Sequence, residues 1–349
     1  MPRLGHSRAR VGPLGKIVLI KSDVIIVGGG PAGSSCAWQL KRRGVECLVL
    51  DRAAFPRLKL CAGWITPEVV ADLEMDPAAY PYRLLTFNVT RIHLYGLSFT
   101  QRSPQHSIRR YEFDDWLLQR SGAAVVRHNV RRIERLGTGF RIDDEFACEY
   151  LIGAGGTACP VYRTLFREAN PRSRLLQAVA LEHEFRCEWT DGDCHLWFFE
   201  KGLPGYSWYV PKQDGYLNLG VGAIAGRLKR QGGHVGAHWE NFLCVLRRRG
   251  LIANTIELSP QGYSYYLRDS VDTHRIGNAF LIGDAAGLAT RDLAEGIGPA
   301  VRSGKLVANA IADGTDYDLR SVAAHSLPPG LSRRLLEYQL LRRGTTSPT

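Results

Sequence analysis

The chain has 349 residues, of which 45% are hydrophobic and 23% are charged. This length is too great for one ordinary core and is typical of two globular domains of unequal size. The formal net charge of +11 would attract anionic lipid, nucleic acid or anionic small molecules. No nucleic-acid motif accompanies the scattered basic residues, so we expect no nucleic-acid partner and retain peripheral contact with a membrane surface as a hypothesis.

The eight cysteines have irregular spacing and form no CxxC pair. This pattern indicates reduced thiols in a cytoplasmic protein, and we predict no metal site. Residues 1–20 contain Arg3, Arg8, Arg10 and Lys16 and no acid, and they lack the apolar run of a secretory signal. We therefore predict a basic, flexible extension over residues 1–21. No window approaches the roughly eighteen apolar residues of a membrane span.

The first glycine-rich segment is Gly28-Gly29-Gly30-Pro31-Ala32-Gly33. It lies between a predicted strand at residues 23–27 and a predicted helix at residues 32–43, and a second strand at residues 45–50 follows. In this context GxGxxG predicts a dinucleotide site. Gly28 would allow the tight turn, Gly30 the approach of a pyrophosphate, and Gly33 close packing of helix and strand.

An acid closes this βαβ unit, because Asp51 ends its second strand about twenty residues after the glycines. Asp51 would accept hydrogen bonds from the adenosine ribose. Ala32 and Arg52, beside these positions, complete the predicted binding residues of the first segment. The motif does not separate NAD from FAD.

The second glycine-rich segment is Gly283-Asp284-Ala285-Ala286-Gly287, followed by Glu295-Gly296-Ile297-Gly298 at a predicted helix start. Together with Arg110-Tyr111-Glu112-Phe113-Asp114 and Ile152-Gly153-Ala154, it resembles the flavoprotein monooxygenase and geranylgeranyl reductase superfamily from about residue 23 to residue 312. The resemblance implies FAD as the cofactor, with Gly283 and Asp284 at its ribitol chain. It also implies cofactor contacts for Gly296, Ile297, Gly298 and Arg110.

Two further segments resemble the geranylgeranyl reductase branch. One is Pro56-Arg57-Leu58-Lys59-Leu60-Cys61-Ala62-Gly63, and the other is Tyr206-Ser207-Trp208-Tyr209-Val210-Pro211-Lys212, close to a YxWxFPK signature. The resemblance implies that Cys61 lies beside the flavin and that Tyr206 and Trp208 line a cavity for an apolar, isoprenoid-like substrate. Lys212 could then meet an anionic head group. The alternative is that Tyr206 and Trp208 are ordinary core aromatics and Cys61 a buried structural thiol.

The predicted fold is α/β, with a FAD-binding Rossmann-like (GR2-type) domain and an inserted antiparallel β-sheet substrate domain. The discontinuous FAD-binding domain is predicted over residues 22–60, 106–170 and 260–320. The substrate domain is predicted over residues 61–105 and 171–259, and a C-terminal tail over residues 321–349.

These residues predict an FAD-dependent oxidoreductase that reduces or dehydrogenates an unsaturated apolar small molecule. The alternatives are an FAD-dependent monooxygenase, a halogenase with Lys59 as its lysine, or a non-catalytic flavin-binding redox partner. Gly155-Gly156 stand where superfamily hydroxylases carry an Asp-Gly pair tied to NAD(P)H use, so the electron donor is NAD(P)H or another reductant. Reduction of a double bond also needs a proton donor, and Tyr206, His195 and Cys61 are chemically able to serve.

Overall fold

The computed structural model describes residues 19–269 and 273–341, which form sixteen strands and seven α-helices. The helices are α1 (Pro31–Arg42), α2 (Pro67–Asp72), α3 (Arg110–Arg120), α4 (Ala225–Arg230), α5 (Val235–Arg248), α6 (Ile297–Asp313) and α7 (Leu331–Leu341). The strands are β1 (Ile20–Val27), β2 (Cys47–Asp51), β3 (Trp64–Ile65), β4 (Leu85–Leu94), β5 (Leu97–Ser107), β6 (Ala124–Arg127), β7 (Ile133–Leu136), β8 (Gly139–Ile142), β9 (Phe146–Gly153), β10 (Gln177–Arg186), β11 (Cys194–Phe198), β12 (Gly205–Lys212), β13 (Tyr216–Ile224), β14 (Gln261–Tyr266), β15 (Arg275–Ile276) and β16 (Ala279–Leu281).

The first sheet has the order β15-β16-β9-β1-β2-β6, and β7 and β8 extend it beside β9. Strands β16, β9, β1, β2 and β6 are all parallel. The apolar residues of β1 and β2 are buried on both faces, as expected when helices cover a parallel sheet. The predicted βαβ unit is confirmed, and the three glycine-bearing turns lie at the carboxyl ends of β1, β9 and β16, where α/β sheets bind their ligands.

The second sheet has the order β14-β10-β13-β12-β11-β4-β5-β3. Its neighbouring strands are antiparallel except β4 and β11, which are parallel, so the sheet is mixed where we expected an antiparallel one. One face packs on α5 through Trp197, Tyr209 and Trp239. Leu196, Phe198 and Trp208 belong to a separate apolar cluster on the other face. We call this other face the apolar wall.

The predicted α/β fold with a second sheet is confirmed by this architecture. The predicted domain boundaries stay predictions, and one element differs from them: β14 pairs with β10 in the second sheet, although residues 260–320 were assigned to the FAD-binding domain. Strand β1 begins at Ile20, inside the predicted extension over residues 1–21. Residues 1–18 of that extension, and residues 342–349 of the predicted tail, lie outside the described residues.

Helices α1 and α6 pack against each other, and small residues allow their close approach. A Cβ atom on Gly304 of α6 would lie 2.4 Å from the carbonyl oxygen of Ala32 in α1. Because of this contact, the N-termini of both helices converge on the same edge of the first sheet. Across residues 19–269 and 273–341, no helix combines the length and apolar composition that crossing a bilayer requires.

Candidate flavin and substrate site

The first glycine-rich turn is fixed by backbone geometry and by Asp51. Gly28 has φ +115°, and a Cβ atom there would lie 2.4 Å from the carbonyl oxygen of Ala154. A Cβ atom on Gly33 would lie 1.9 Å from the carbonyl oxygen of Gly28, so both positions require glycine. The buried Asp51 carboxylate accepts hydrogen bonds from Gly29 N at 2.7 Å and Ala53 N at 2.9 Å. It therefore holds the turn, and its remaining lone pairs are free for the predicted ribose contact.

Gly30 differs from the other two glycines. It lies at the N-cap of α1 with φ −75°, which other residues adopt readily, and within 4 Å its Cβ atom would meet only the guanidinium of Arg57, at 3.3 Å. Helix α1 has no side-chain cap and no acid in its first turn. Its free N–H groups and partial positive charge thus point to an anionic ligand at Gly30.

The second glycine-rich turn follows β16 and faces the first one. Gly283 N donates to Ser303 Oγ of α6 at 3.0 Å, and a Cβ atom on Gly283 would lie 3.0 Å from that of Ala32. Gly296, the N-cap of α6, would place a Cβ atom 3.3 Å from Asp284 Oδ1. Helix α6 also begins without a side-chain cap or an acid in its first turn. The predicted Asp284 and Gly296 are therefore adjacent at a second uncapped helix start.

Three other predicted binding residues have different surroundings. The side chain of Ile297 is buried in the core with Val69 and Phe113, so only its backbone would face a ligand. A Cβ atom on Gly298 would lie 2.6 Å from Glu295 Oε1, which keeps this helix turn closely packed. Arg52 has an exposed side chain. Its predicted contact with the cofactor stays a prediction.

Two arginines and one acid lie between the turns and the apolar wall. Arg110 is buried and forms a bidentate ion pair with Asp114, with distances of 2.5 and 2.8 Å. The Arg57 guanidinium is 3.3 Å from the same carboxylate. Two cations thus share one acid, which leaves an excess positive charge beside Gly30. Together with the two uncapped helix starts, this charge fits the pyrophosphate of FAD.

Cys61 lies where the loop after β2 meets the second sheet. Its backbone N–H donates to the carboxylate of Glu182 on β10, and Asn218 Nδ2 donates to its carbonyl oxygen at 3.4 Å. The thiol lies beside the Arg110 guanidinium and accepts a hydrogen bond from Gly63 N at 3.4 Å. Cys61 is only partly buried. It is therefore positioned between the predicted cofactor residues and the apolar wall.

Trp208 lies on a strip of two glycines on β13. In register, Trp208 is opposite Gly220, and a Cβ atom on Gly220 would lie 2.0 Å from the indole ring. A Cβ atom on Gly222 would be 3.3 Å from the same ring. The indole Nε1 donates to Asn218 Oδ1 at 2.7 Å, and Asn218 also contacts the Cys61 carbonyl. Trp208 and Cys61 are thus held through one asparagine.

Tyr206 packs beside Trp208, with ring centroids 6.0 Å apart. Its hydroxyl donates to the carbonyl oxygen of Leu293 at 2.5 Å, and burial raises its pKa. This hydroxyl is therefore committed to a backbone acceptor, which makes it a poor proton donor to a substrate. The three predicted catalytic residues Cys61, Tyr206 and Trp208 lie in one region, and their catalytic roles stay predictions.

The expectation that Lys212 meets an anionic head group is wrong. Lys212 is fully buried, and its Nζ is 2.6 Å from Glu184 Oε2. Glu184 also pairs with Arg109, with Nε to Oε1 2.8 Å apart. The lysine is a structural ion-pair partner beneath the Cys61 loop.

His195, considered as a proton donor, faces away from the site. It lies in the buried group formed with His93, Trp197 and Asp191 on the α5 side of the second sheet, and its Nε2 is 3.0 Å from Asp191 Oδ2. In the described part of the chain, His, Cys, Asp and Glu side chains form no group of three that could hold a metal ion.

Sequence reasoning missed the contribution of β14. Tyr263 donates to Asp284 Oδ2 at 3.3 Å, and Lys59 Nζ lies 3.1 Å above the Tyr263 ring. Burial lowers the pKa of Lys59 to about 8, although Asp284 partly opposes this effect. Arg172 also supports the second turn by donating to Ala285 O at 2.9 Å. The alternating tyrosines of residues 261–266 were the available signal for this strand.

Comparison with known proteins agrees with this geometry. Residues 23–108 match the family model described as FAD dependent oxidoreductase. The chain is 30% identical to an uncharacterized protein of Methanosarcina barkeri over 84% of this chain and 76% of that protein. It is also 30% identical to a menaquinone reductase of Mycolicibacterium smegmatis over 85% of this chain and 78% of that protein. A digeranylgeranylglycerophospholipid reductase of Methanosphaera stadtmanae is 24% identical over 86% and 80%, respectively.

Among solved structures, a geranylgeranyl bacteriochlorophyll reductase-like protein from Thermoplasma acidophilum matches with a TM-score of 0.73 and 18% identity, over 85% of this chain and 79% of that one. A flavin-dependent halogenase matches with a TM-score of 0.68 and 20% identity, over 86% and 59%. At these identities the two matches show the shared fold. The family model and the relatives at 30% identity show that the protein belongs to the FAD-dependent oxidoreductases, and its sequence and fold are similar to those of the geranylgeranyl reductase-like branch.

Proposed function

We propose that this protein reduces a carbon–carbon double bond, or a conjugated ring, in a long isoprenoid-like molecule. The observation that carries the proposal is the apolar wall, where Leu196, Phe198 and Trp208 lie in one buried cluster next to the Cys61 loop. Aromatic and aliphatic side chains in such a wall suit an alkyl chain and offer it few hydrogen bonds. Bound FAD supplies hydride transfer. The named relatives support the same substrate class, since they are reductases of menaquinone and of a geranylgeranyl lipid.

The residues of this chain would bind and orient the substrate. Trp208 is held flat by the glycines of β13 and fixed at its Nε1 by Asn218, so it offers a rigid face to a substrate chain. The Cys61 loop would close the end of this face nearest the cofactor. The electron donor is NAD(P)H or another reductant, and the Gly155-Gly156 pair favours the latter.

Anaerobic reoxidation of the reduced enzyme tests this function. The protein, reduced with dithionite, is mixed separately with geranylgeranyl diphosphate, digeranylgeranylglycerophospholipid and menaquinone, while the flavin spectrum is followed. We expect reoxidation by at least one of them and a product two hydrogens heavier by mass spectrometry. Reoxidation by oxygen alone, with an oxygenated product, would support the monooxygenase alternative instead.

A membrane surface is the proposed source of this substrate. Helix α7 exposes Leu331, Arg334, Leu335 and Tyr338, which are spaced as one stripe along a helix. Its opposite side packs on the protein through Leu336 and the buried Leu340. An exposed apolar stripe with an arginine suits the interface of a bilayer that contains anionic lipid.

Flotation with lipid vesicles checks this contact. We expect the protein to bind vesicles containing phosphatidylserine more than pure phosphatidylcholine vesicles, because each basic residue near an anionic surface contributes about 1 kcal/mol. The double variant Leu335→Ser/Tyr338→Ser should lose most of the binding. Leu136→Ser, which removes a similarly exposed apolar residue from β7, is the matched control and should bind as the unmodified protein does. Equal loss in both variants would contradict a specific role for α7.

A further inference from the structure

A buried acid lies directly beneath the Cys61 loop. Glu182 of β10 is 5% exposed, and its carboxylate accepts the backbone N–H of Cys61. Across the sheet it is in register with Gly220, which is in turn opposite Trp208. Since Gly220 has no side chain, the Trp208 indole extends over β13 towards Glu182. The acid therefore contacts the Cys61 loop directly, and the side-chain-free Gly220 of β13 lies between it and Trp208.

Glu182 and Glu184 lie on the same face of β10 but have different partners. Glu184 forms ion pairs with Lys212 at 2.6 Å and Arg109 at 2.8 Å. Glu182 forms no ion pair with any described residue, and its hydrogen-bond donors are Cys61 N and the Asn218 amide. An isolated buried carboxylate is costly, whereas the neutral acid avoids most of that cost. The environment thus raises the pKa of Glu182 and lowers the pKa of Glu184.

Titratable groups from three elements face Glu182. Lys212 on β12 and Lys59 in the Cys61 loop lower its pKa, and Tyr265 on β14 also faces it. Burial is the largest effect, and the pKa of Glu182 is raised overall. The pKa of Glu184 is lowered, because Lys212 and Arg109 together overcome its burial.

We propose that Glu182 is the acid that supplies the proton to the substrate, from a neutral carboxyl group held beneath Cys61. The proposal rests on the proposed function, because reduction of a double bond requires one proton and one hydride. One substrate carbon receives the hydride from the reduced cofactor, and the other receives the Glu182 proton. The π bond, the carboxyl O–H bond and the bond that held the hydride on the reduced cofactor break, and two C–H bonds form. The cofactor is left oxidised by two electrons, the substrate is reduced by two, and the resulting carboxylate is reprotonated from solvent.

The variant Glu182→Gln tests this role, because glutamine keeps an oxygen for the Cys61 N–H and cannot donate the proton in the same way. We expect unchanged FAD content and a fall in substrate reduction of roughly 100-fold or more, the usual contribution of a positioned general acid. In the unmodified enzyme the rate should fall as the pH rises through the pKa of Glu182. This limb of the pH profile should be absent in Glu182→Gln and present in Glu182→Asp. Normal turnover and an unchanged pH profile in Glu182→Gln would overturn the proposal.

Infrared spectroscopy gives a readout that needs no substrate. The spectrum of the unmodified holoenzyme at neutral pH, minus that of Glu182→Gln, should contain the C=O band of a protonated carboxyl group. Glu184→Gln, in contrast, should keep this band. If the band is present but no isoprenoid is reduced, the result contradicts the proposed function and still shows that the Glu182 carboxyl group is protonated. Absence of the band would show that Glu182 is ionised and would overturn the proposal. If Glu182→Gln does not fold, the pH profile of Glu182→Asp decides whether this position donates the proton.

Discussion

Replacing Gly30 with valine is expected to abolish FAD retention while the protein stays folded. The backbone at residue 30 has φ −75°, so a β-branched residue is accommodated there without left-handed strain. Its Cβ atom would point into space where only the Arg57 guanidinium lies within 4 Å, at 3.3 Å. The two methyl groups beyond it would fill the approach to the N-terminus of α1, where the pyrophosphate is predicted to bind. Flavin absorbance of the purified variant, relative to protein, should be near zero.

Two comparisons make this result specific. The variant should melt at the temperature of unmodified protein stripped of FAD, since a bound ligand stabilises only the folded state that binds it. Gly33→Val, by contrast, should fail to fold, because its Cβ atom would lie 1.9 Å from the Gly28 carbonyl oxygen. A Gly30→Val protein that retains one FAD per chain would show that the cofactor does not approach α1 at this residue.

Replacing Trp208 with alanine should spare the flavin and reduce substrate turnover strongly, by an expected 100-fold or more in kcat/KM. The indole is 7% exposed and forms a large part of the apolar wall, so its loss removes the surface against which a substrate is oriented. We expect a cost of about 3–5 kcal/mol in the free energy of unfolding, as for other buried aromatic residues. The measurement is steady-state reduction of whichever isoprenoid reoxidises the flavin.

Two further variants separate orientation from simple destabilisation. Trp208→Phe keeps an aromatic ring but leaves Asn218 without its donor, so it should lose less turnover than Trp208→Ala. Gly220→Ala keeps the tryptophan and moves it, because the added Cβ atom would lie 2.0 Å from the ring. Impaired turnover in Gly220→Ala with normal FAD content would support a positional role. Normal turnover in both Gly220→Ala and Trp208→Ala would show that Trp208 is an ordinary core residue with no role at the substrate.

The cofactor half of the molecule was predictable because its signals are local. A glycine turn, the strand before it and the acid that ends the next strand all lie within about thirty residues. The same holds for Asp284 and the start of α6. Helix N-termini and tight turns impose residue types that are visible without knowledge of the rest of the chain.

The substrate half was less predictable because its contacts join distant segments. Glu182 appears on an alternating strand as an ordinary outward-facing residue, and its contact with the Cys61 loop joins positions 121 residues apart. We predicted that Lys212 would contact an anionic head group, because the sequence does not show its ion-pair partner. That partner, Glu184, is 28 residues away on another strand. Strand β14 is short, and its pairing partner β10 precedes it by about 80 residues. Periodicity does not show which charged residues will meet, since pairing across a sheet decides this.

The order of strands in the first sheet also determines when the protein can acquire its cofactor during synthesis. Strand β1 is complete at Val27, but its neighbour β9 ends at Gly153 and β16 ends at Leu281. About 250 residues therefore separate translation of the first glycine turn from that of the second. At the usual rates of elongation this interval lasts roughly 10 to 50 s. During that time β1 lacks its neighbour β9 and the sheet lacks β16, so we expect the two glycine turns to capture flavin only near the end of translation.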